Sequence, residues 1–318
     1  MGNPDISAVM PIKNGEKYLE SSIQQLTRTL GVNDEIIVVN DASSDKTESM
    51  LRKWALIDQR VMVINNPNPG LTNALNLGIK EASHSWIARF DVDDKYALDR
   101  INLQRGSISP AVGLIFSDYD TYSPAGENLG TIPSALFASP TALSLISSQR
   151  TAHPSALFLK NAFNDAGGYK AEDFPAEDLS LWLRMIKVAE VVSVPKTLLH
   201  YLVAPNSVSN TLYLNAKTKT AQLLDNYKID VRYQIDVIEN FKNYAALYQQ
   251  EKFGTERTIL MFRDAIKYSK HYKSSKETTQ LGKMFSSLFI TLRQDQFLKS
   301  VLSLNSESKK RHKVRSNL

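Results

Sequence analysis

The sequence contains no cysteine among its 318 residues, so it forms neither disulfides nor thiolate metal sites. No uncharged apolar run reaches the roughly 18 residues of a membrane span, and we therefore expect no transmembrane helix. The N-terminus lacks the charged start, apolar centre and cleavage site of a secretory signal, so we expect none. Hydrophobic residues make up 42% of the chain, which is an ordinary share for a globular protein with a sizeable core.

The net charge of +5 is unevenly distributed. The last ten residues, 309–318, contain five Lys or Arg and no acidic residue. No aromatic residues alternate with these basic ones as a stacking surface requires, which argues against nucleic-acid binding. We interpret 305–318 as a disordered basic tail or, alternatively, as an electrostatic contact with anionic lipid head groups.

The first 120 residues alternate strand-like and helix-like segments. Apolar runs predict strands at residues 6–10 (ended by Pro11), 35–39, 61–64, 86–90 and 114–117, and helical periodicity predicts helices at 16–30, 43–56 and 71–82. This order predicts an α/β fold with a doubly wound, mainly parallel sheet. Ligands of such sheets bind beyond the carboxyl ends of the strands.

Polar or turn-forming residues follow four of these predicted strands. Pro11, Asp41, the 65–70 turn and the cluster Asp91-Val92-Asp93-Asp94 all fall at carboxyl ends. The cluster places three carboxylates within four residues, where their mutual repulsion is relieved by a bound cation. A solvated turn that caps the next helix is the simpler alternative, although one Asp suffices for a cap.

The later part of the chain is more mixed. We predict strands at residues 155–159, 191–194 and 198–203, and helices at 160–166 and 179–186. Composition shifts after residue 211, so we predict a first domain of residues 1–211 and a helical appendage of residues 212–304. An apolar stripe in the appendage fits packing against the main domain or a second subunit, or else peripheral contact with a bilayer.

Seven segments, in this order and spacing, resemble the family 2 glycosyltransferases of bacterial surface-polysaccharide assembly. They are residues 9–15 (VMPIKNG), 36–47 (IIVVNDASSDKT), 70–79 (GLTNALNLGI), 87–94 (IARFDVDD), 153–155 (HPS), 167–169 (GGY) and 176–184 (AEDLSLWLR). The resemblance covers roughly residues 5–210 and implies a GT-A-like sheet. It also implies a nucleotide-sugar donor and a saccharide or lipid-linked oligosaccharide acceptor, handled in the cytoplasm or at the inner membrane face.

The resemblance assigns roles around the donor. Asp41 would accept a hydrogen bond from the base of a UDP- or dTDP-type nucleotide, because an ionised carboxylate can only accept. Asp93 would bind a divalent cation, Mn²⁺ or Mg²⁺, that neutralises the departing diphosphate. The remaining donor-side residues implied are Pro11, Asn14, Asn76, Arg89 and Asp91.

On the acceptor side, the resemblance makes Asp178 the general base of an inverting displacement. His153, Glu177 and Trp182 are the implied neighbours of the acceptor. Each has a structural alternative. Glu177 and Asp178 suit a helix N-terminus, where acids favour the positive end of the dipole, whereas His153 and Trp182 suit a core.

One segment departs from the family pattern. Residues 201–210 (YLVAPNSVSN) carry Leu202 and Ala204 where relatives often have Arg and His, which weakens the expected diphosphate contacts of this loop. A non-catalytic sugar- or partner-binding module that kept the fold is therefore an alternative to the enzyme. A nucleotidyltransferase is disfavoured, because residues 10–15 contain a single glycine instead of a Gly-rich phosphate loop.

Overall fold

The computed structural model describes residues 4–132, 134, 151–204, 207 and 211–226. Its strands are β1 (Ile6–Ile12), β2 (Glu35–Asn40), β3 (Val61–Asn65), β4 (Trp86–Arg89), β5 (Lys95–Tyr96), β6 (Val112–Tyr122), β7 (Asn128–Ile132), β8 (Leu157–Leu159) and β9 (Glu190–Leu202). Its helices are α1 (Glu16–Thr29), α2 (Thr47–Ile57), α3 (Leu71–Glu81), α4 (Arg100–Arg105), α5 (Lys160–Asp165), α6 (Glu177–Met185) and α7 (Tyr213–Asn226), with 3₁₀ turns at His153–Ser155 and Ala171–Asp173.

These strands form one sheet in the order β3-β2-β1-β4-β8-β6-β9-β5, with β7 paired to β6. β1 lies parallel to both β2 and β4, and β2 lies parallel to β3. Because β8 is antiparallel to both β4 and β6, β6 points in the same direction as β4, and β9 is parallel to β6. Six of the described strands therefore share one direction, which confirms the predicted α/β class and mainly parallel sheet.

Helices cover both faces of the sheet. α1 buries Leu19, Ile23 and Leu26, which recur at helical spacing, against one face. On the other face α3 crosses β1 and β2 at Gly78, where an added Cβ would lie 2.7 Å from a methyl of Val9 and 2.9 Å from one of Val39. Glycine is therefore required for this close approach, which brings the start of α3 to the carboxyl edge.

Several strand boundaries differ from the sequence-based expectation. β8 begins at Leu157, because Ser155 belongs to the preceding 3₁₀ turn. β1 continues through Pro11, which lies opposite Val39 in the ladder, instead of ending there. β6 runs from residue 112 to residue 122 and is longer than predicted. The two predicted late strands are one strand, β9, whose register jumps because Ser117 pairs with Val194 and Asp118 with Thr197. Pro195, which cannot donate a ladder bond, lies in this bulge.

α7 is the described start of the predicted appendage, and Lys219 Nζ lies 3.5 Å from the Asp173 carboxylate. The rest of residues 212–304 and the basic tail, 305–318, lie outside the described residues, so their predicted roles and the boundary at 211 stay predictions. Within the described stretches, no helix combines the length and the apolar character needed to cross a bilayer.

Candidate active site

Asp41 follows β2 at the carboxyl edge and is held by the neighbouring strands. Its N–H donates to the Ile12 carbonyl (2.8 Å) at the end of β1. Its Oδ1 accepts bonds from Asn66 Nδ2 (2.7 Å) and from the Gly70 N–H (2.8 Å), which flank the turn after β3. The side chain is only 6% exposed. Both donors act on one carboxylate oxygen, which fixes the direction in which the other points.

The loops after β1 and β2 are joined by Asn14. Its N–H donates to Ser43 Oγ (2.9 Å), and its Oδ1 accepts from the Ser44 N–H (2.8 Å). Asn14 and Ala42 have φ of 52° and 54°, a left-handed conformation that is uncommon for residues other than glycine. Such backbone often accompanies functional sites. Pro11 is buried in β1 at the same edge, close to this joint.

Arg89 ends β4 and organises the acidic loop, residues 91–94. The guanidinium is 2% exposed, and its Nη2 donates to Asp91 Oδ1 (2.7 Å) while Nη1 donates to the Phe90 carbonyl. The Asp91 N–H donates to Tyr96 Oη (2.7 Å), so the loop is fastened at both backbone and side chain. Burial opposes the charge on Arg89, but Asp91, Tyr169 and Tyr96 together outweigh it and raise the arginine pKa.

The other two acids of this loop have less compensation. Burial, with the negative charge of Asp91, raises the pKa of Asp93 to about 6. Asp94 is 4% exposed, and its Oδ1 accepts from the Leu202 N–H (2.8 Å) in β9, whereas its Oδ2 is buried without a hydrogen-bond partner. Burial raises the pKa of Asp94 well above its ordinary value. Asp94 therefore links the loop to β9, and Asp93 is the carboxylate of the two that is left for a ligand.

A second pair of acids occupies the first turn of α6. Glu177 is 6% exposed, and burial together with the charge of Asp178 raises its pKa to about 8. Asp178 is partly exposed, its Oδ1 accepts from the Leu179 N–H (2.7 Å), and burial raises its pKa as well. The helix begins two residues earlier than predicted, so both acids lie within it.

The two acidic groups interact electrostatically. The charge of Asp91 adds to the raised pKa values of Glu177 and Asp178 on α6, and the positive charge of Arg89 partly offsets the rise for both of them and for Asp93 and Asp94 in the loop. The Coulomb energy of two charges falls with the distance between them, so Arg89 lies near both groups. Asp41 lies at the same edge, because β2 and β4 both flank β1 and neighbouring strands are about 5 Å apart.

His153 lies beside this cluster, backed by the core. Its Nε2 is 2.6 Å from Tyr169 Oη, and burial, with the charge of Arg89, lowers the pKa of His153 well below its ordinary value. Its ring meets Trp182 edge-on at 5.9 Å between centroids. Trp182 is 0% exposed and also packs against Phe116, so it supports His153 from behind and does not line the surface.

Asn76 uses its amide inside the protein. Its Oδ1 accepts from the Tyr169 N–H (3.1 Å), and its Nδ2 donates to the Tyr169 carbonyl (2.9 Å). Sequence analysis placed Asn76 at the donor and did not single out Tyr169 as a site residue. The two consecutive glycines before Tyr169 are the sequence feature that points to it. Gly167 and Gly168 have φ values of 79° and 63° and form the tight turn that places Tyr169 next to His153.

The donor set fits a divalent cation held jointly with a substrate. Among the described residues, no group of three or more His, Cys, Asp or Glu is arranged as a metal site. Mg²⁺, however, is commonly bound through one or two carboxylates together with substrate phosphates and water. Asp93, with its pKa raised by burial and by the negative charge of Asp91, supplies a carboxylate whose ionised form a cation favours.

Comparison with known proteins agrees with this geometry. Residues 7–109 match the profile of the family described as glycosyl transferase family 2. An uncharacterized glycosyltransferase of Haemophilus influenzae is 26% identical over 243 residues, which are 69% of this chain and 71% of the relative. The putative teichuronic acid biosynthesis glycosyltransferase TuaG of Bacillus subtilis is 23% identical over 67% of this chain and 85% of its own length.

Solved structures share the fold. TarS 1-349 of S. aureus, solved in complex with UDP-GlcNAc, has a TM-score of 0.57 at 15% identity, covering 89% of this chain and 91% of TarS 1-349. The mannosyltransferase PcManGT of Pyrobaculum calidifontis, solved with GDP-Man and Mn²⁺, has a TM-score of 0.53 at 16% identity, covering 95% and 84% of the two chains. The family 2 profile match over residues 7–109, the relatives and the GT-A-like sheet together show that this chain is a glycosyltransferase.

Proposed function

We propose that this enzyme moves a sugar, with inversion, from a UDP- or dTDP-type nucleotide donor to a hydroxyl of a saccharide or lipid-linked oligosaccharide. The observation that supports the proposal is that Asp41 and the acidic loop with Asp93 follow β2 and β4 at the carboxyl edge, while the charges of Arg89 and Asp91 act on Asp178. An acceptor for the base N–H, a cation ligand and a proton acceptor are the three groups that this displacement requires.

On the donor side, Asp41 recognises the nucleotide base. Its Oδ1 is engaged by Asn66 and Gly70, so the second oxygen accepts from a uracil- or thymine-type N–H. Pro11, in β1, and Asn14, in the loop after β1, border the base. The backbone of Asn14 is left-handed. The structure of TarS with UDP-GlcNAc supports a uridine nucleotide in this fold.

Asp93 is the proposed ligand of Mn²⁺ or Mg²⁺, and Asp91 lies toward the ribose. When bound, the cation supplies positive charge that stabilises the departing nucleoside diphosphate. Arg89 ties Asp91 in place and keeps a permanent positive charge beneath the acidic loop. The Mn²⁺ in the PcManGT structure supports this assignment.

Asp178 takes the proton of the acceptor hydroxyl. A lone pair of the hydroxyl oxygen forms the new bond to the anomeric carbon, the proton passes to the Asp178 carboxylate, and the electron pair of the broken O–H bond stays on the oxygen. The bond from the anomeric carbon to the diphosphate breaks, and its electron pair leaves with the diphosphate. The raised pKa of Asp178 makes it a stronger base than an exposed carboxylate. Glu177 and His153 border the acceptor.

The acceptor belongs to the assembly of a bacterial surface polysaccharide, such as lipopolysaccharide, capsule or exopolysaccharide. The resemblance of residues 5–210 and the name of the TuaG relative both support this pathway class. We place the reaction in the cytoplasm, with peripheral contact at the inner membrane face through the C-terminal region.

The test is a screen of nucleotide-sugars for donor-dependent release of nucleoside diphosphate, with and without Mn²⁺ or Mg²⁺. We expect one UDP- or dTDP-sugar to stabilise the protein thermally, and its turnover to require the cation. A protein that binds nucleotide-sugars but never releases nucleoside diphosphate, with any saccharide acceptor offered, would contradict the proposal. Loss of stabilisation in Asp41→Ala, with the fold intact, identifies the base-binding residue.

A further inference from the structure

Arg100, on α4, is an unusual residue to find in a protein core. It is 0% exposed. Its guanidinium carbon lies 4.3 Å from the centroid of the Phe90 ring and 4.8 Å from that of the Tyr96 ring, close enough for cation–π attraction to both. A buried charge is costly, and replacing it with a well-packed apolar residue often leaves stability unchanged or improves it. Stability alone therefore does not explain an arginine here.

The hydrogen bonds of Arg100 continue the sheet beyond the end of a ladder. The pairing of β4 with β8 ends at Ala88 and Leu157. One residue further, the Ala156 carbonyl accepts from the Arg89 N–H (2.9 Å). Nη2 of Arg100 donates to the carbonyls of both Arg89 (3.0 Å) and Ala156 (3.3 Å). The guanidinium thus holds together the backbone segment after β4 and the segment before β8, at the point where both leave the sheet.

Gln104, one helical turn after Arg100, joins the segment before β8 to the next strand, β6, in a similar way. Its Oε1 accepts from Arg100 Nε (3.0 Å). Its Nε2 donates to the Ser155 carbonyl (2.8 Å) and to the Ile115 carbonyl (3.3 Å) in β6. Ser155 closes the 3₁₀ turn that carries His153, so the amide fastens this turn to β6.

On its other side, Arg100 supports the acidic loop through aromatic rings. Phe90 and Tyr96 meet edge-on with centroids 4.6 Å apart, and the guanidinium lies over both. Tyr96 Oη accepts the Asp91 N–H (2.7 Å) and donates to the Asp91 carbonyl (3.2 Å). The position of the Asp91 peptide therefore depends on the same buried cation as the position of residue 156.

We propose that Arg100 and Gln104 are positioning residues that fix the distance between the acidic loop, residues 91–94, and the His153 turn. The proposal rests on the proposed function, in which the loop serves the donor and the turn borders the acceptor. A misplacement of about 1 Å between reacting groups costs on the order of a hundredfold in rate. A buried arginine with its planar fork defines such a distance better than an apolar side chain.

The first experiment compares Arg100→Lys with Arg105→Lys on the same helix. Arg105 is also largely buried, and its Nη2 bonds both oxygens of Asp34 (2.7 and 2.8 Å) at the opposite end of the strands. Lysine keeps the charge but lacks the fork in both cases. We expect Arg100→Lys to lower kcat/KM by about tenfold or more, and Arg105→Lys to lose stability with less than about a twofold change in kcat/KM.

Two further variants test separately the support of the acidic loop and the support of the His153 turn. Tyr96→Phe removes the hydroxyl that holds the Asp91 peptide, and we expect a higher donor KM and faster amide hydrogen exchange in residues 89–94 only. Gln104→Met removes the bonds to the His153 turn. We expect a lower kcat with the donor KM unchanged, and faster exchange in residues 152–157 only. Arg100→Lys should accelerate exchange in both segments.

Hydrogen exchange makes the proposal testable without turnover. If Arg100→Lys is folded and leaves exchange in both segments and kcat/KM at wild-type values, the positioning role is wrong. Equal losses of kcat/KM in Arg100→Lys and Arg105→Lys would likewise reduce Arg100 to a stabilising residue. A wild-type protein without transfer activity overturns the proposed function, whereas selective exchange changes in its variants would still support the positioning geometry. Should Arg100→Lys fail to fold, Gln104→Met and Tyr96→Phe decide the question.

Discussion

Acidic side chains occur at both ends of the parallel strands, but their surroundings are opposite. At the amino ends, just before β2, the Asp34 carboxylate accepts from the Ile6 and Gly31 N–H groups and from Arg105. Before β3, the hydrogen bonds from Arg60 hold the pKa of Asp58 below its ordinary value. Both carboxylates thus accept hydrogen bonds from arginine side chains.

At the carboxyl ends, Asp91 is paired with Arg89 and Asp41 accepts two hydrogen bonds, but three other acids are buried with too little positive charge. The pKa values of Asp93, Glu177 and Asp178 are all raised, first by burial, and Arg89 offsets this only in part. Carboxyl groups in such surroundings suit an edge that receives a cation or a proton. This difference supports our proposal that the carboxyl edge is the working edge, independently of any motif.

The largest effect is expected for Asp178→Asn at the working edge. Removing the proposed general base should lower kcat by about a thousandfold, within the range of general-base catalysis, while the donor affinity changes little because we propose that Asp178 faces the acceptor. Single-turnover kinetics and calorimetric titration with the donor measure the two effects. The matched control is Glu172→Gln, an exposed acid of the preceding turn that should leave both unchanged. Retained turnover in Asp178→Asn would remove the base assignment.

Asp34→Ala at the opposite edge should act on stability and not on catalysis. It leaves Arg105 and two N–H groups without their buried acceptor, and breaking such a pair costs about 3–5 kcal/mol. Urea unfolding measures the loss, and kcat/KM of the folded fraction should stay within about twofold of wild type. A large catalytic defect in this variant would abolish the contrast between the two edges.

Asp93→Ala should lower transfer by more than about tenfold, because metal clamps contribute several kcal/mol. It should also weaken nucleoside diphosphate binding in the presence of Mn²⁺ but not in its absence. Titration calorimetry with and without the cation provides the measurement, and Asp99→Ala, an exposed acid paired with Lys196, provides the control. Equal cation dependence in Asp93→Ala and wild type would exclude Asp93 as a ligand.

The smallest effect concerns the pH dependence of stability. Folding raises the pKa of Glu177 from its ordinary 4.5 to about 8, so the folded protein keeps a proton that the unfolded chain has lost. The stability from this group is therefore present at low pH and declines as pH rises from about 4.5 to about 8. We expect Glu177→Gln to flatten this decline and to raise the free energy of unfolding at pH 8 by roughly 1 kcal/mol or more. Urea unfolding at pH 5, 6, 7 and 8 checks the slope, and an unchanged slope would contradict the shift.

The sequence reveals the parallel half of the sheet well, because β1, β2 and β4 are apolar runs that end in polar residues. It also places Asp41, Asp91 and Asp178 at strand or helix ends, where topology brings them to one edge. It does not reveal partnerships between distant segments. The hydrogen bond between Asp94 and Leu202 joins residues that are 108 positions apart, and the sequence around neither residue indicates the other as its partner.

The support of the site was equally hidden from sequence reasoning. Arg100 and Gln104 resemble ordinary exposed helix residues in the sequence, and only the short α4 against three strands makes them buried. Trp182 shows the reverse case. Its place within a motif allows an acceptor-side role as well as a core position, and packing against Phe116 and His153 puts it in the core. Tertiary packing, which no local pattern encodes, decides such residues.

The pair of hydrogen bonds between the Asn76 amide and the Tyr169 main chain has a consequence for protein engineering. Asn76 grips only main-chain atoms, so this joint does not depend on which amino acid occupies position 169. A chimera that keeps residues up to the end of the acidic loop, residue 94, and takes its later segments from a relative therefore retains these two hydrogen bonds, provided that the two-glycine turn is preserved. Recombination at this point offers a direct route to exchanging acceptor preference while the proposed donor-side residues stay in place.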